Sequence, residues 1–160
     1  MKPRIYIESS VISYLAARPA RDVVVLARQE ISHEFWLWAP AHYEFCTSEL
    51  TRLEIARGDP SVARRRLEYL GDCRILEDVP EAQALASRLI DTKAVPASEP
   101  EDAAHFAIAT LTEVKYIVSW NFAHLVGPQA KRQLEMAITK LGYVTPMLAT
   151  PEEIFEAEAT

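Results

Sequence analysis

Between Ile5 and Leu15 the chain changes its period, and it does so at a carboxylate. Ile5-Tyr6-Ile7 is a short apolar, β-favouring run that reads as a buried strand, whereas Val11, Ile12 and Leu15 have the spacing of one helical face. Glu8 sits at the switch. Ser9 and Ser10 follow it, placed to bond the orphan N–H groups of the first helical turn. A carboxylate is thereby held at the carboxyl end of a strand, beside the positive end of a helix. Position alone leaves two roles open to it: to favour the helix dipole, or to face a site at the sheet edge.

The rest of the chain repeats the alternation. Asp22 caps a second helix expected to run to about Glu34; Phe35-Trp36-Leu37-Trp38 then reads either as core or as cover for a partner before Pro40. Phe45-Cys46-Thr47 is a short strand, and Ser48 caps a helix that stops at Gly58. On that helix Leu50, Leu53 and Glu54 share a side, because residues three and four apart are neighbours, while Glu49, Arg52 and Arg57 face water. Asp59-Pro60 opens a helix to Leu70, Arg74-Ile75-Leu76 is a short strand, and a helix follows from near Pro80 to Thr92. Ser98-Glu99-Pro100-Glu101 has the form of a capping box for an Ala-rich helix carrying Asp102 in its first turn. Tyr116-Ile117-Val118-Ser119 is the clearest strand after the first and ends in Trp120-Asn121. Pro128 to Leu141 is helical, Met147-Leu148 is an edge strand, and Pro151 starts a terminal helix.

Strands alternating with helices predict a single α/β domain with a parallel sheet covered on both faces. In such sheets ligands bind beyond the carboxyl ends of the strands, where the strand order reverses, so Glu8 and Asn121 belong on that rim. A chain of 160 residues is long enough to bury about 68–70% of its unfolded surface without disulfides or structural metal. Cys46 and Cys73, far apart and outside any C-x-x-C, read as reduced thiols. No apolar stretch approaches a membrane span and no signal-peptide core follows Met1, which places the protein in the cytoplasm. The net charge of −6 argues against nucleic-acid binding through a broad basic surface. A metal ion held by acids can itself receive a phosphate, with Arg64-Arg65-Arg66 or Lys131-Arg132 adding contacts if they are not simply solvated helix faces.

Glu8, Glu54, Asp102 and Asn121 each fall at a strand end, near an apolar stripe or at a helix start. Acids clustered there would repel unless a cation shared them, and hard oxygen donors suit Mg²⁺ or Mn²⁺. With four Gly and no Gly-rich phosphate loop, a nucleotide or flavin site is disfavoured, and no His or Cys spacing indicates zinc.

Four ordered stretches, spanning roughly Ile5 to Ile154, resemble the PIN-domain nucleases, particularly the toxin half of VapBC-type toxin–antitoxin pairs. Ile5-Tyr6-Ile7-Glu8-Ser9-Ser10-Val11 is similar to the family's opening strand, acid and Ser-bearing turn. Ser48-Glu49-Leu50-Thr51-Arg52-Leu53-Glu54-Ile55 resembles the second motif, with its acid on Glu54. Glu101-Asp102-Ala103-Ala104-His105-Phe106-Ala107-Ile108-Ala109-Thr110 resembles the third, with Asp102 as the acid, and Ile117 to Leu125 the fourth. The resemblance implies a three-layer fold with about five parallel strands, the first central. It also implies metal-dependent hydrolysis of RNA phosphodiesters, with Glu8 and Asp102 as metal ligands and Glu54 and Asn121 completing the catalytic pocket. A small cognate antitoxin and a homodimer are its expected partners. The alternative is a catalytically weak PIN-like module that binds RNA or protein through the same cleft.

Two positions depart from the family pattern: Glu8 and Asn121 stand where Asp is usual. The extra methylene of Glu8 moves its carboxylate outward by ~1.5 Å, which the surroundings must absorb. Asn121 keeps an oxygen donor but loses a charge. Ser10 is expected to orient Glu8 or cap its helix rather than act as a nucleophile, since no base is evident beside it. His105, three residues past Asp102, reads as a structural hydrogen-bonding group, or else as a group that contacts a phosphate or tunes a carboxylate; His124 has the same roles open.

Overall fold

A computed structural model describes residues 1–77, 79–121 and 127–158. Its strands are β1 (Arg4–Ile7), β2 (Glu44–Thr47), β3 (Arg74–Ile75), β4 (Tyr116–Val118) and β5 (Met147–Ala149). All pair in parallel in one sheet of order β3-β2-β1-β4-β5. Ile5, Tyr6 and Ile7 are fully buried, which a strand achieves only with neighbours on both edges and helices on both faces. Tyr6 is registered with Cys46 on one side and Ile117 on the other.

The two-residue period of the strands sorts side chains between two cores. Ile5, Ile7, Phe45, Tyr116 and Val118 pack on one face with Val11, Ile12 and Leu15 of α1 (Ser9–Ala16), Phe35 and Trp36 of α2 (Val23–Trp38), Leu70 of α4 (Pro60–Leu70) and Ile154 of α8 (Pro151–Glu158). Tyr6, Cys46, Ile117 and Leu148 face the other way, against α5 (Pro80–Asp91), α6 (Pro100–Leu111) and α7 (Pro128–Lys140). The short α3 (Glu49–Ile55) lies at the rim, following directly on β2. The architecture is a three-layer α/β sandwich with β1 at its centre.

Caps mark the helix starts where the sequence places them. Asp22 accepts from the Val25 amide at 2.9 Å, Ser48 from Thr51 at 3.4 Å, and Asp59 from Ser61 and Val62 at 2.9 and 3.2 Å. Three expectations need correction. Helix α2 does not end near Glu34 but continues to Trp38, because Gln29, Ser32, Phe35 and Trp36 form one buried helical face. Phe35 and Trp36 are therefore core, packed against Phe45, and only Leu37 of that run is strongly exposed. The capping box before α6 is not formed: Glu99 is the cap residue and makes no side-chain cap bond, Pro100 occupying the first turn. The basic run in α4 is not simply a solvated face. Arg65 donates to the Ala16 carbonyl and Arg66 to those of Ile55 and Arg57, satisfying carbonyls at two helix ends.

The strand order decides where a site can form. From β1 the chain moves outward through β2 and β3, then crosses back to place β4 on the opposite side of β1. In sheets of this kind the reversal marks the crevice where ligands bind, here beyond the carboxyl ends of β1 and β4.

Candidate active site

Glu8 and Asn121 both stand at that crevice. The Glu8 side chain caps α1 itself, with Oε1 accepting from the Ser10 amide at 3.1 Å, from the Ser10 hydroxyl and from the Ser119 hydroxyl at 2.8 Å. The expectation that Ser9 and Ser10 would cap this helix is thus corrected: Glu8 takes that role, and Ser10 orients it. The Ser10 hydroxyl also accepts from the Trp120 amide at 2.8 Å, and the Ser119 hydroxyl from the Asn121 amide at 2.9 Å. These bonds sew the end of β1 to the end of β4. The extra methylene of Glu8 is accommodated by this curl of the carboxylate back onto the two serines. Asn121 Nδ2 lies 3.4 Å from Asp102 Oδ2, joining the first turn of α6 to the same network.

A second chain of bonds holds Glu54. Its Oε1 accepts from the Ser9 hydroxyl and from His105 Nε2, each at 2.6 Å. His105 is almost completely buried, and its Nδ1 meets the Tyr6 hydroxyl at 2.7 Å, which in turn meets Ser48 Oγ at 2.6 Å. Burial works against charge on both partners. For His105 it is outweighed by Tyr6, Glu54 and Glu8, and the imidazolium is held well above its ordinary range. For Glu54 it is outweighed by the hydrogen bond and charge of His105, then by Glu101 and Ser9, and the carboxyl sits well below the usual carboxylate range. Both shifts favour the charged forms, so His105 both makes a structural bond and tunes a carboxylate. His124 lies outside the described residues.

All four residues singled out in the sequence therefore join the network around this crevice, but not as one cluster of acids. Among the described residues no three His, Cys, Asp or Glu side chains gather closely enough to hold a metal ion alone. Glu54 Oε1 is committed to Ser9 and His105, whereas Glu8, Asp102 and Asn121 belong to the other network, through Ser119 and the Asn121–Asp102 contact. Glu8 Oε2 makes no hydrogen bond among the described residues, and no Lys or Arg there pairs with Glu8. Hard oxygens from two carboxylates fit Mg²⁺, which keeps several waters and takes further oxygens from a phosphate.

Three contributors escaped sequence reading. Ser119 lies inside a recognised stretch but has no spacing signal, since its value comes from β4 being adjacent to β1. Tyr6 was legible only as strand; its alternation against Ile5 and Ile7 points its phenol at α6. Ser9 looked like a cap and instead reaches across to Glu54.

The fold and crevice define an α/β protein of the doubly wound type with carboxylates at the strand-order reversal. A solved structure shares that fold: a chain from the crystal structure of VapBC2 from Rickettsia felis bound to a DNA fragment from their promoter matches with a TM-score of 0.53, covering 91% of this chain and 98% of that one at 10% sequence identity. No family model matches the sequence, and no curated protein matches it.

Proposed function

We propose that the protein is a metal-dependent endoribonuclease acting on RNA phosphodiesters, the toxin of a toxin–antitoxin pair, working in the cytoplasm as a homodimer and restrained by a small cognate antitoxin. The observation that carries this reading is the bridge Glu8–Ser119–Asn121–Asp102 across the crevice between β1 and β4, which gathers hard oxygen donors where a sheet of this order binds ligands. The VapC-like fold likeness and the four ordered motifs support it. Among the described residues no helix is long and apolar enough to cross a membrane.

In this reading Glu8 and Asp102 hold Mg²⁺ or Mn²⁺, with the Asn121 amide beside them, and the bound ion supplies Lewis acidity at the phosphodiester. Ser10 and Ser119 keep the Glu8 carboxylate in one orientation through donors that leave its charge intact. Glu54, anionic and anchored through Oε1, accepts a hydrogen bond from the attacking water and orients it; its lowered pKa suits an acceptor better than a proton store. The negative surface of the protein would oppose RNA until the cation is in place.

The test is cleavage of a single-stranded RNA by purified protein with Mn²⁺, with chelator, and with Glu8→Gln. Metal-dependent cleavage lost in the variant is expected. RNA binding without cleavage under any metal would replace the nuclease by the binding-module alternative. Co-purification with the product of an adjacent gene and light scattering test the antitoxin and the dimer.

A further inference from the structure

We infer that Tyr6 and His105 are positioning residues that hold Glu54 as a fixed anion in the wall of the crevice, an inference that rests on the nuclease reading above for its effect on turnover. The geometry is continuous from core to site: Ser48 Oγ to Tyr6 OH at 2.6 Å, Tyr6 OH to His105 Nδ1 at 2.7 Å, His105 Nε2 to Glu54 Oε1 at 2.6 Å, and Ser9 Oγ to the same oxygen at 2.6 Å. Tyr6 is fully buried in the central strand and His105 is 1% exposed, so neither touches a substrate.

The role of Tyr6 follows from hydroxyl chemistry. It can accept from Nδ1–H of an imidazolium while donating to Ser48, or donate to Nδ1 of a neutral ring. Both states of His105 are thus satisfied at Nδ1, and the carboxylate partner sits at Nε2. Glu54 from α3 is that partner; Glu8, at the end of β1, adds to it from within the crevice, and Glu101 of α6 adjoins Glu54. With two donors on Oε1 the Glu54 carboxylate loses its rotational freedom. The imidazolium also cancels one negative charge beside Glu8 and Asp102, two further acids that would otherwise repel it.

The sequence contains this device as a spacing, with His105 one helical turn beyond Asp102. Its meaning appears only when β1 places Tyr6 behind the ring.

The experiment is a double-variant cycle on RNA cleavage at saturating Mn²⁺ with a spectroscopic arm. His105→Gln is expected to lower kcat by ~10- to 100-fold with KM within about threefold, and Tyr6→Phe to lower kcat by a few-fold. In a Glu54→Gln background His105→Gln should have no further effect, because it acts only through Glu54. Nitrogen NMR of the His105 ring reads the same coupling without activity: the ring should remain an imidazolium above pH 8 in the unaltered protein and titrate lower in Glu54→Gln. Wild-type turnover in His105→Gln, multiplying effects in the double variant, or a ring already neutral at pH 8 would each overturn the inference. Absence of any cleavage by the unaltered protein rejects the nuclease, and the NMR arm then decides alone whether His105 holds Glu54.

Discussion

Glu8 and Glu54 flank the same crevice, and each has one carboxylate oxygen crowded by donors, but the donors differ in charge. Glu8 is held by a backbone amide and two serine hydroxyls, all neutral. Glu54 is held by a hydroxyl and a buried imidazolium. Neutral donors fix a carboxylate without consuming its charge, whereas an imidazolium fixes and neutralises at once, so of the two Glu8 is the better suited to attract a cation. Chemically equivalent side chains a short distance apart are thereby assigned to different work by what surrounds them.

The largest effect expected is at the cation-attracting side. Asp102→Ala should abolish Mn²⁺ binding in titration calorimetry and reduce cleavage by about three orders of magnitude, the several kcal/mol that a bound ion contributes to a phosphoryl transition state. Unchanged affinity would remove Asp102 from the site.

Breaking the neutralised side should appear first in stability. His105→Ala leaves Glu54 without its cation and opens a cavity, so thermal unfolding should fall by about 3 kcal/mol, roughly 6–12 °C for a chain of this size. The pH dependence carries a definite sign. Glu54, whose folded pKa is lowered, contributes fully above its ordinary 4.5 and loses that contribution as pH falls through the folded value. His105, whose folded pKa is raised, contributes fully below 6.5 and loses it as pH rises through the folded value. The stability difference between the protein and its Glu54→Gln/His105→Gln variant should therefore peak between pH 4.5 and 6.5 and shrink on either side. A flat difference across pH 4 to 9 would show that the pair is not ionised.

Glu8→Asp tests whether the longer acid is built into the site. Shortening the side chain by ~1.5 Å withdraws the carboxylate from the Ser10 and Ser119 hydroxyls, and turnover should drop about tenfold or more. A gain instead, above all a tenfold gain in combination with Asn121→Asp, would mean that the site has drifted from a working arrangement.

Ser119→Ala removes one neutral donor and leaves two. Mn²⁺ affinity should fall about tenfold with little change in melting temperature, the pattern for a group that orients a ligand without being one.

Smallest is Asn121→Asp, which replaces the amide facing Asp102 by a like charge. Metal-free protein should lose about 1 kcal/mol, and Mn²⁺ should restore it. A variant equally stable with and without the ion would place Asn121 outside the cation's reach.

Much of this molecule follows from local sequence. The strand-to-helix switch at Glu8 and the caps at Asp22, Ser48 and Asp59 are decided by interactions within a few residues, whereas α3 ends at Ile55, short of the expected stop at Gly58, whose φ of +86° suits glycine in the turn that follows. The all-buried Ile5-Tyr6-Ile7 run could only be central; Glu8 and Asn121 were legible as strand ends, Asp102 as a helix start and Glu54 by its place near an apolar stripe. What the sequence could not determine is which donor each acid meets. Ser119 reaches Glu8 across 111 positions and His105 reaches Glu54 across 51, through pairings set by β1 lying next to β4 and by α6 packing behind β1. The expectation of a shared acid cluster missed Glu54's separate fate for that reason. Charge alone says that three carboxylates repel; only tertiary structure supplies the buried imidazolium and its phenol that take one of them out of the contest.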